Sequence, residues 1–307
     1  MAFDIFYPNI PDLPLPKRHR FPAQKYRMLY ETLCGETEAH GFRFSQSPMI
    51  SRDDLYRSHS RRYVDAIFAG TLSEQEQKKI ALPWSEILLR RSRSAVGGSL
   101  AASRLALQVG AAGQLAGGTH HAHHDFGFGF CVFNDLAVTA RVLQHECSGL
   151  RIAILDLDVH QGDGNAALLR DDPETFVVSV HGARNFPFEK EMSDLDIALP
   201  DGADDTAYMI AVDQALAAIS AFRPNIILYI SGVDPLVDDR LGRLSVSMDG
   251  LGQRDRRVLS YCHDHNTPVA IVVGGGYAEP ISRTVEAYAN TFRIAASVYK
   301  ASKKSLP

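Results

Sequence analysis

Four short stretches of the chain place carboxylates, imidazoles or a phenol beside glycine at the ends of apolar runs. The first, Asp156-Leu157-Asp158-Val159-His160-Gln161-Gly162-Asp163-Gly164, closes the run Arg-Ile-Ala-Ile-Leu. Alternate side chains of an extended segment share a face, so Asp156, Asp158 and His160 could converge while Leu157 and Val159 turn away. Three ionisable groups in such a place are costly unless they hold a metal or pair with one another. The bland alternative is a set of loop acids with solvated caps. A second stretch, Ser231-Gly232-Val233-Asp234, follows Asn-Ile-Ile-Leu-Tyr-Ile and adds a carboxylate, with Gly232 permitting a tight backbone approach. Two carboxylates and one imidazole, with a position left for water, suit a catalytic divalent metal such as zinc.

The third stretch, Gly117-Gly118-Thr119-His120-His121-Ala122-His123-His124, holds four of the chain's 12 histidines. Adjacent residues seldom ligate one ion together, and imidazole is a common proton-transfer group near pH 7. His120 and His121, directly after a Gly-Gly turn, are the candidates for that work; His123 and His124 read as loop histidines. The fourth stretch is Gly274-Gly275-Gly276-Tyr277, after Val-Ala-Ile-Val-Val. Neither G-x-x-x-x-G-K-[ST] nor G-x-G-x-x-G is present, so phosphate binding is not indicated. A flexible backbone presenting one phenol, Tyr277, to an oxyanion is the better account.

These groups need elements to position them. Apolar runs at Arg151 to Leu157, Thr175 to Val180, Asn225 to Ile230 and Pro268 to Val273 lack clean alternation, which fits strands covered on both faces. Asp4 to Tyr7 reads as a further short strand. Helical spacing is found at Ala23 to Ala39, Arg52 to Phe68 with Ser51 as N-cap, Ser94 to Val109, and Asp135 to His145. It recurs at Thr206 to Phe222, Gly250 to His263 and Ser282 to Lys300. The alternation predicts an α/β fold, one domain over residues 1–307 with a central, mostly parallel β-sheet flanked by helices. Functional groups gather at the carboxyl ends of the strands in such folds.

Composition bounds the function. The 307 residues carry 32 Lys plus Arg against 36 Asp plus Glu, a net charge of −4, and 45% are hydrophobic. That excludes a disordered chain, a collagen or a disulfide scaffold, and argues against direct nucleic-acid binding. Cys34, Cys131, Cys147 and Cys262 are scattered without a C-x-x-C pair, so a reducing cytoplasm is expected. Neither a signal peptide nor a membrane span is read. Arg90, Arg91 and Arg93 read as the solvated start of a helix. Oligomeric state is not legible.

Taken in order, GGTHHAHHDFGFGFCVFND, ILDLDVHQGDG, SGVDPLVDDRLGRLSVS and VVGGGY resemble the zinc-dependent histone deacetylase family, with its bacterial acetylpolyamine and acetoin-utilisation relatives. HGARNFPFEKEMSDLDIALPDG, and Lys25 where class I members carry arginine, make the pattern most like class IV and its bacterial members. The acidic rim residue with which class I members hold the substrate backbone has no clear counterpart. The resemblance implies an arginase/deacetylase fold and zinc-dependent removal of acetyl or longer acyl groups from lysine by metal-activated water. It implies Asp158, His160 and Asp234 as ligands of one Zn2+, and His120 and His121 backed by Asp156 and Asp163. Tyr277 corresponds to the carbonyl-polarising tyrosine, with Gly129, Phe130, Phe186 and Gly275 in contact with substrate. A potassium ion near Asp156 and Asp158, with backbone groups of His160, Ser179 and Val180, is a further expectation. The implied substrate is an acyl-lysine protein or a small acetylated amine such as an acetylpolyamine. A two-manganese ureohydrolase needs more carboxylates and finds Gly232 where one would help. A catalytically silent acyl-lysine-binding protein would be expected to have lost a motif residue, and none is missing.

Overall fold

The computed structural model describes residues 2–16 and 18–301. Among the described residues eight strands build one sheet: β1 (Phe3–Tyr7), β2 (Phe42–Gln46), β3 (Ala111–Gln114), β4 (Ile152–Asp156), β5 (Thr175–Gly182), β6 (Leu195–Leu199), β7 (Ile226–Ile230) and β8 (Val269–Val272). Their order is β2-β1-β3-β8-β7-β4-β5-β6, and every neighbouring pair is parallel.

β4, β7 and β8 are buried along their whole length. Alternate residues of β7 enter opposite apolar layers. Ile226, Leu228 and Ile230 join Val96, Leu100 and Leu136 on one face, while Ile227 and Tyr229 join Val212, Val258 and Phe292 on the other. Each such Leu or Ile removed from water contributes about 1.5–3 kcal/mol, which makes both layers necessary to hold the sheet. The polar groups are left for the strand ends.

The helices depart from the sequence reading where a polar residue interrupts them. Arg52 to Phe68 is two helices, Arg52–Leu55 and Arg61–Ala69, capped by the side chains of Ser51 and Ser60. Between them the chain turns His59 into the interior, which a continuous helix would not allow. Ala23 to Ala39 likewise divides into Lys25–Gly35 and Thr37–His40. The helix ending at Val109 begins at Glu86 under a Ser85 cap, so Arg90, Arg91 and Arg93 lie inside it. The solvated-face reading holds for Arg90, which is exposed, and fails for the other two: Arg91 is buried over the Tyr26 ring at 3.8 Å, and Arg93 donates to the Ile50 carbonyl. β2, β3 and β6 were not anticipated. Among the described residues no helix is long and apolar enough to cross a membrane.

Candidate metal centre and catalytic pocket

β4 ends at Asp156, and the chain then releases Asp158 and His160 from a tight turn. Asp234 follows β7 after Ser231 and Gly232. Asp158, His160 and Asp234 are all buried, and each offers a ligand atom within 4.8 Å of the others. His160 Nδ1 lies 3.0 Å from Asp158 Oδ1 and 3.0 Å from Asp234 Oδ2. Backbone amides aim the carboxylates: Gly275 N–H donates to Asp158 Oδ2 at 2.6 Å, and Val159 N–H to Asp234 Oδ1 at 2.9 Å. A Cβ on Gly232 would lie 2.6 Å from Asp158 Cα, so no further carboxylate can enter there, which weighs against a two-metal centre.

The electrostatics ask for a cation. Burial opposes the charge on His160, but Asp158 and Asp234 outweigh it and hold its pKa at about 10. Burial, with the Asp158 charge beside it, pushes Asp234 up to about 7. Two buried carboxylates and an imidazole in mutual reach are the donor set of a zinc site. Zinc fits them, its charge answering the two buried carboxylates. Asp156 stands apart from this cluster and faces His120.

His120 and His121 leave a loop whose shape is set from below. Asp135, fully buried, accepts from the N–H groups of Gly118 and Thr119, the Thr119 hydroxyl and the Ser99 hydroxyl. His120 Nδ1 meets Asp156 Oδ2 at 2.7 Å, and His121 Nδ1 meets Asp163 Oδ1 at 2.5 Å. Burial works against a charge on His120, yet Asp156 and Asp158 raise its pKa to about 9. Burial and the neighbouring His120 lower His121 to about 4, with Asp163 pulling the other way. At neutral pH His121 is therefore uncharged, with Nδ1–H held by Asp163 and Nε2 left as a base.

Tyr277 stands across the cluster, its ring centre 6.5 Å from that of His160. Burial, with Asp234 and Asp158 nearby, raises its pKa far above the usual phenol value, so it stays a hydrogen-bond donor. Phe130, its backbone at φ +70°, and Gly129, at φ +51°, form one wall of the approach. Phe186 forms the other, stacking edge-on to His121 at 5.0 Å. An outer cavity of about 580 Å³ descends between these walls, and a chamber of about 70 Å³ continues beneath. His121, Gly129, Phe130, His160 and Tyr277 line both. Gly275, expected at the substrate, lines the inner chamber and spends its amide on Asp158.

Sequence reasoning overlooked the groups behind these. Arg254 is wholly buried, donates to the carbonyls of Ser231 and Gly232, and pairs with Asp255 at 3.0 Å, so it fixes the loop bearing Asp234. Asp255 also accepts from Tyr229 and Thr291. His59 bridges the His123 carbonyl at 2.8 Å and the Asn134 N–H at 2.9 Å. Lys25, marked in the sequence only as a class IV feature, is buried, donates to the Gly274 carbonyl at 2.9 Å and lies over the rings of Tyr26, Tyr277 and Tyr288. Adjacent opposite charges at Arg254 and Asp255 were the available signal, hidden in the charged run Gln-Arg-Asp-Arg-Arg.

The family model described as Histone deacetylase domain matches residues 19–292. Over 300 residues the chain is 42% identical to an uncharacterized protein of Picosynechococcus, covering 97% of this chain and 100% of that protein. It is 26% identical over 287 residues to histone deacetylase 2 of Arabidopsis thaliana, covering 90% of this chain and 74% of that one. The crystal structure of acetylpolyamine aminohydrolase from Burkholderia pseudomallei shares the fold, with a TM-score of 0.75 at 20% identity over 98% of this chain and 99% of that one. With the buried Asp158–His160–Asp234 cluster at the carboxyl edge of its parallel sheet, the chain belongs to the histone deacetylase family and is a zinc-dependent amidohydrolase that removes acyl groups from lysine.

Proposed function

We propose that the protein is a lysine deacylase acting on protein or peptide acyl-lysine, with Asp158, His160 and Asp234 holding one zinc ion. When bound, zinc supplies a Lewis acid that polarises the amide carbonyl and acidifies a water. His121 takes the proton from the attacking water at Nε2 and hands it to the departing amine. Asp163 keeps His121 in the required tautomer throughout. His120, backed by Asp156, stabilises negative charge as it develops, and Tyr277 donates its O–H to the oxyanion. Gly129, Phe130 and Phe186 grip the aliphatic stem of the lysine, whose apolar length suits their walls.

The observation that carries this reading is the pairing of His121 Nδ1 with Asp163, which leaves one basic nitrogen beside a buried ligand cluster. A catalytically silent binding protein would have no use for that tautomer. Four unpaired cysteines, two of them exposed, support a reducing cytoplasm as the compartment. The test is turnover of a fluorogenic acyl-lysine substrate that a chelator abolishes and added zinc restores. Inertness toward short and long acyl groups alike would favour the silent binder.

A further inference from the structure

The mouth of the pocket carries a charge pattern that amide hydrolysis does not require. Arg20, Arg184, Arg240 and Arg243 line the outer cavity, and no carboxylate is among its described lining residues. Asp201 serves two of them at once, lying 3.5 Å from Arg184 and 3.1 Å from Arg243. Arg240 faces Glu279 at 2.8 Å and donates through Nε to the Tyr277 carbonyl at 3.1 Å. Arg20 is exposed and pairs with no acid among the described residues. Glu189 and Glu191 follow Phe188 in the chain, but neither lines the opening, and Glu191 is taken by Arg170. Two acids thus answer four guanidiniums, on a chain whose overall charge is −4.

We infer that this mouth selects acyl-lysines flanked by Asp or Glu, over basic tails and over acylated polyamines. The inference rests on the deacylase reading above and adds the class of sequence around the lysine. A planar guanidinium presents paired N–H donors that match a carboxylate. A substrate amine or guanidinium beside the acyl-lysine meets like charge in the same place. Each exposed pair is weak, but several acting together set the encounter rate and the partner chosen. An acylated polyamine keeps free ammonium groups within reach of the rim and is repelled by it.

Two peptides with the same acyl-lysine, one flanked by Asp and Glu and the other by Lys and Arg, are compared by kcat/KM with the zinc-loaded protein. The acidic peptide is expected to lead by about tenfold at low salt, as several weak pairs combine. Most of that lead is expected to vanish at about 0.5 M NaCl, where the screening length falls to a few ångströms. Arg20→Gln breaks no ion pair and lowers the ratio; Arg20→Gln with Arg184→Gln brings it close to one. Equal rates on the two peptides, or a preference for the basic one, overturn the inference while leaving the deacylase reading intact. If neither peptide is hydrolysed the deacylase reading fails, and fluorescence anisotropy of the labelled peptides decides the charge preference. Tighter binding of the acidic peptide, lost in the double variant, supports the inference, and equal binding overturns it.

Discussion

His123 reaches Asp163 through Nε2, 3.0 Å from Oδ2, on the oxygen that His121 leaves free. One carboxylate therefore orients two imidazoles. Burial opposes the charge on Asp163, but His121 and His123 hold its pKa below the usual carboxylate range, so it remains an acceptor for both. His123 also stacks on Phe126 at 4.6 Å, which leaves its ring little freedom. A residue that reads as a loop histidine thus steadies the base from behind.

His123→Phe keeps the stack and loses the hydrogen bond. A hydrogen bond to a charged carboxylate is worth about 1.5–3 kcal/mol, so kcat should fall by up to roughly ten- to a hundredfold. KM should be little changed, and His123→Gln should recover part of the loss. Steady-state kinetics on one acyl-lysine substrate checks all three values, and an unchanged kcat would remove His123 from the account.

Tyr277→Phe removes the oxyanion donor and little else. Turnover should drop by about a hundred- to a thousandfold, as for loss of one such donor elsewhere. Zinc content by elemental analysis should match that of the parent protein. A fully active variant would sink the assignment.

Zinc should stabilise the fold as well as enable catalysis. A ligand present at about a thousand times its dissociation constant adds about 4.1 kcal/mol. Differential scanning calorimetry should show the melting transition rise on adding zinc to chelated protein. Asp234→Ala should abolish that rise.

Asp255→Asn should unfold at lower urea than the parent. It leaves the Arg254 guanidinium, which is wholly buried, without its counter-charge, and breaking a buried pair costs about 3–5 kcal/mol. Activity should fall alongside stability, because Arg254 also holds the Ser231 and Gly232 carbonyls.

His59 makes stability depend on pH. Burial lowers its pKa from 6.5 to about 4, with backbone hydrogen bonding only partly offsetting this. Between those values the unfolded chain binds the extra proton, so stability rises with pH there. His59's contribution is complete above about pH 6.5 and is lost as pH falls toward 4, on the order of 3 kcal/mol in all. His181, lowered to about 4 chiefly by burial, adds to the same slope. Urea unfolding across this range should show a flatter slope for His59→Gln, and an identical slope would refute the assignment.

Strands covered on both faces announced themselves in the sequence, because burial on each side selects runs dominated by Val, Ile and Leu, with an Ala or a Tyr among them, at β4, β7 and β8. β3 did not, since its Ala-Ala-Gly-Gln must be small: a Cβ on Gly113 would come 2.5 Å from the Phe292 ring. β2 and β6 lie at the two edges of the sheet and are partly exposed, so neither needs a solid apolar run. At the site, alternate spacing made Asp158 and His160 readable, and Asp234 joined them only through the fold. Alternation misled for Asp156, whose carboxylate turns to His120 instead. His59 was invisible because nothing in Ser-His-Ser states that the ring points inward to two backbone groups 64 and 75 residues away.

The strand order has a consequence for how the protein is made. β8, the last of the described strands in chain order, belongs between β3 and β7, at the centre of the sheet. Until it arrives, β2-β1-β3 and β7-β4-β5-β6 are two partial sheets, each with an open edge facing the gap. Such edges are templates for pairing with other chains. A nascent or cut chain lacking β8 is therefore both inactive and prone to aggregate, and Lys25 finds its Gly274 carbonyl only after 249 further residues have been made.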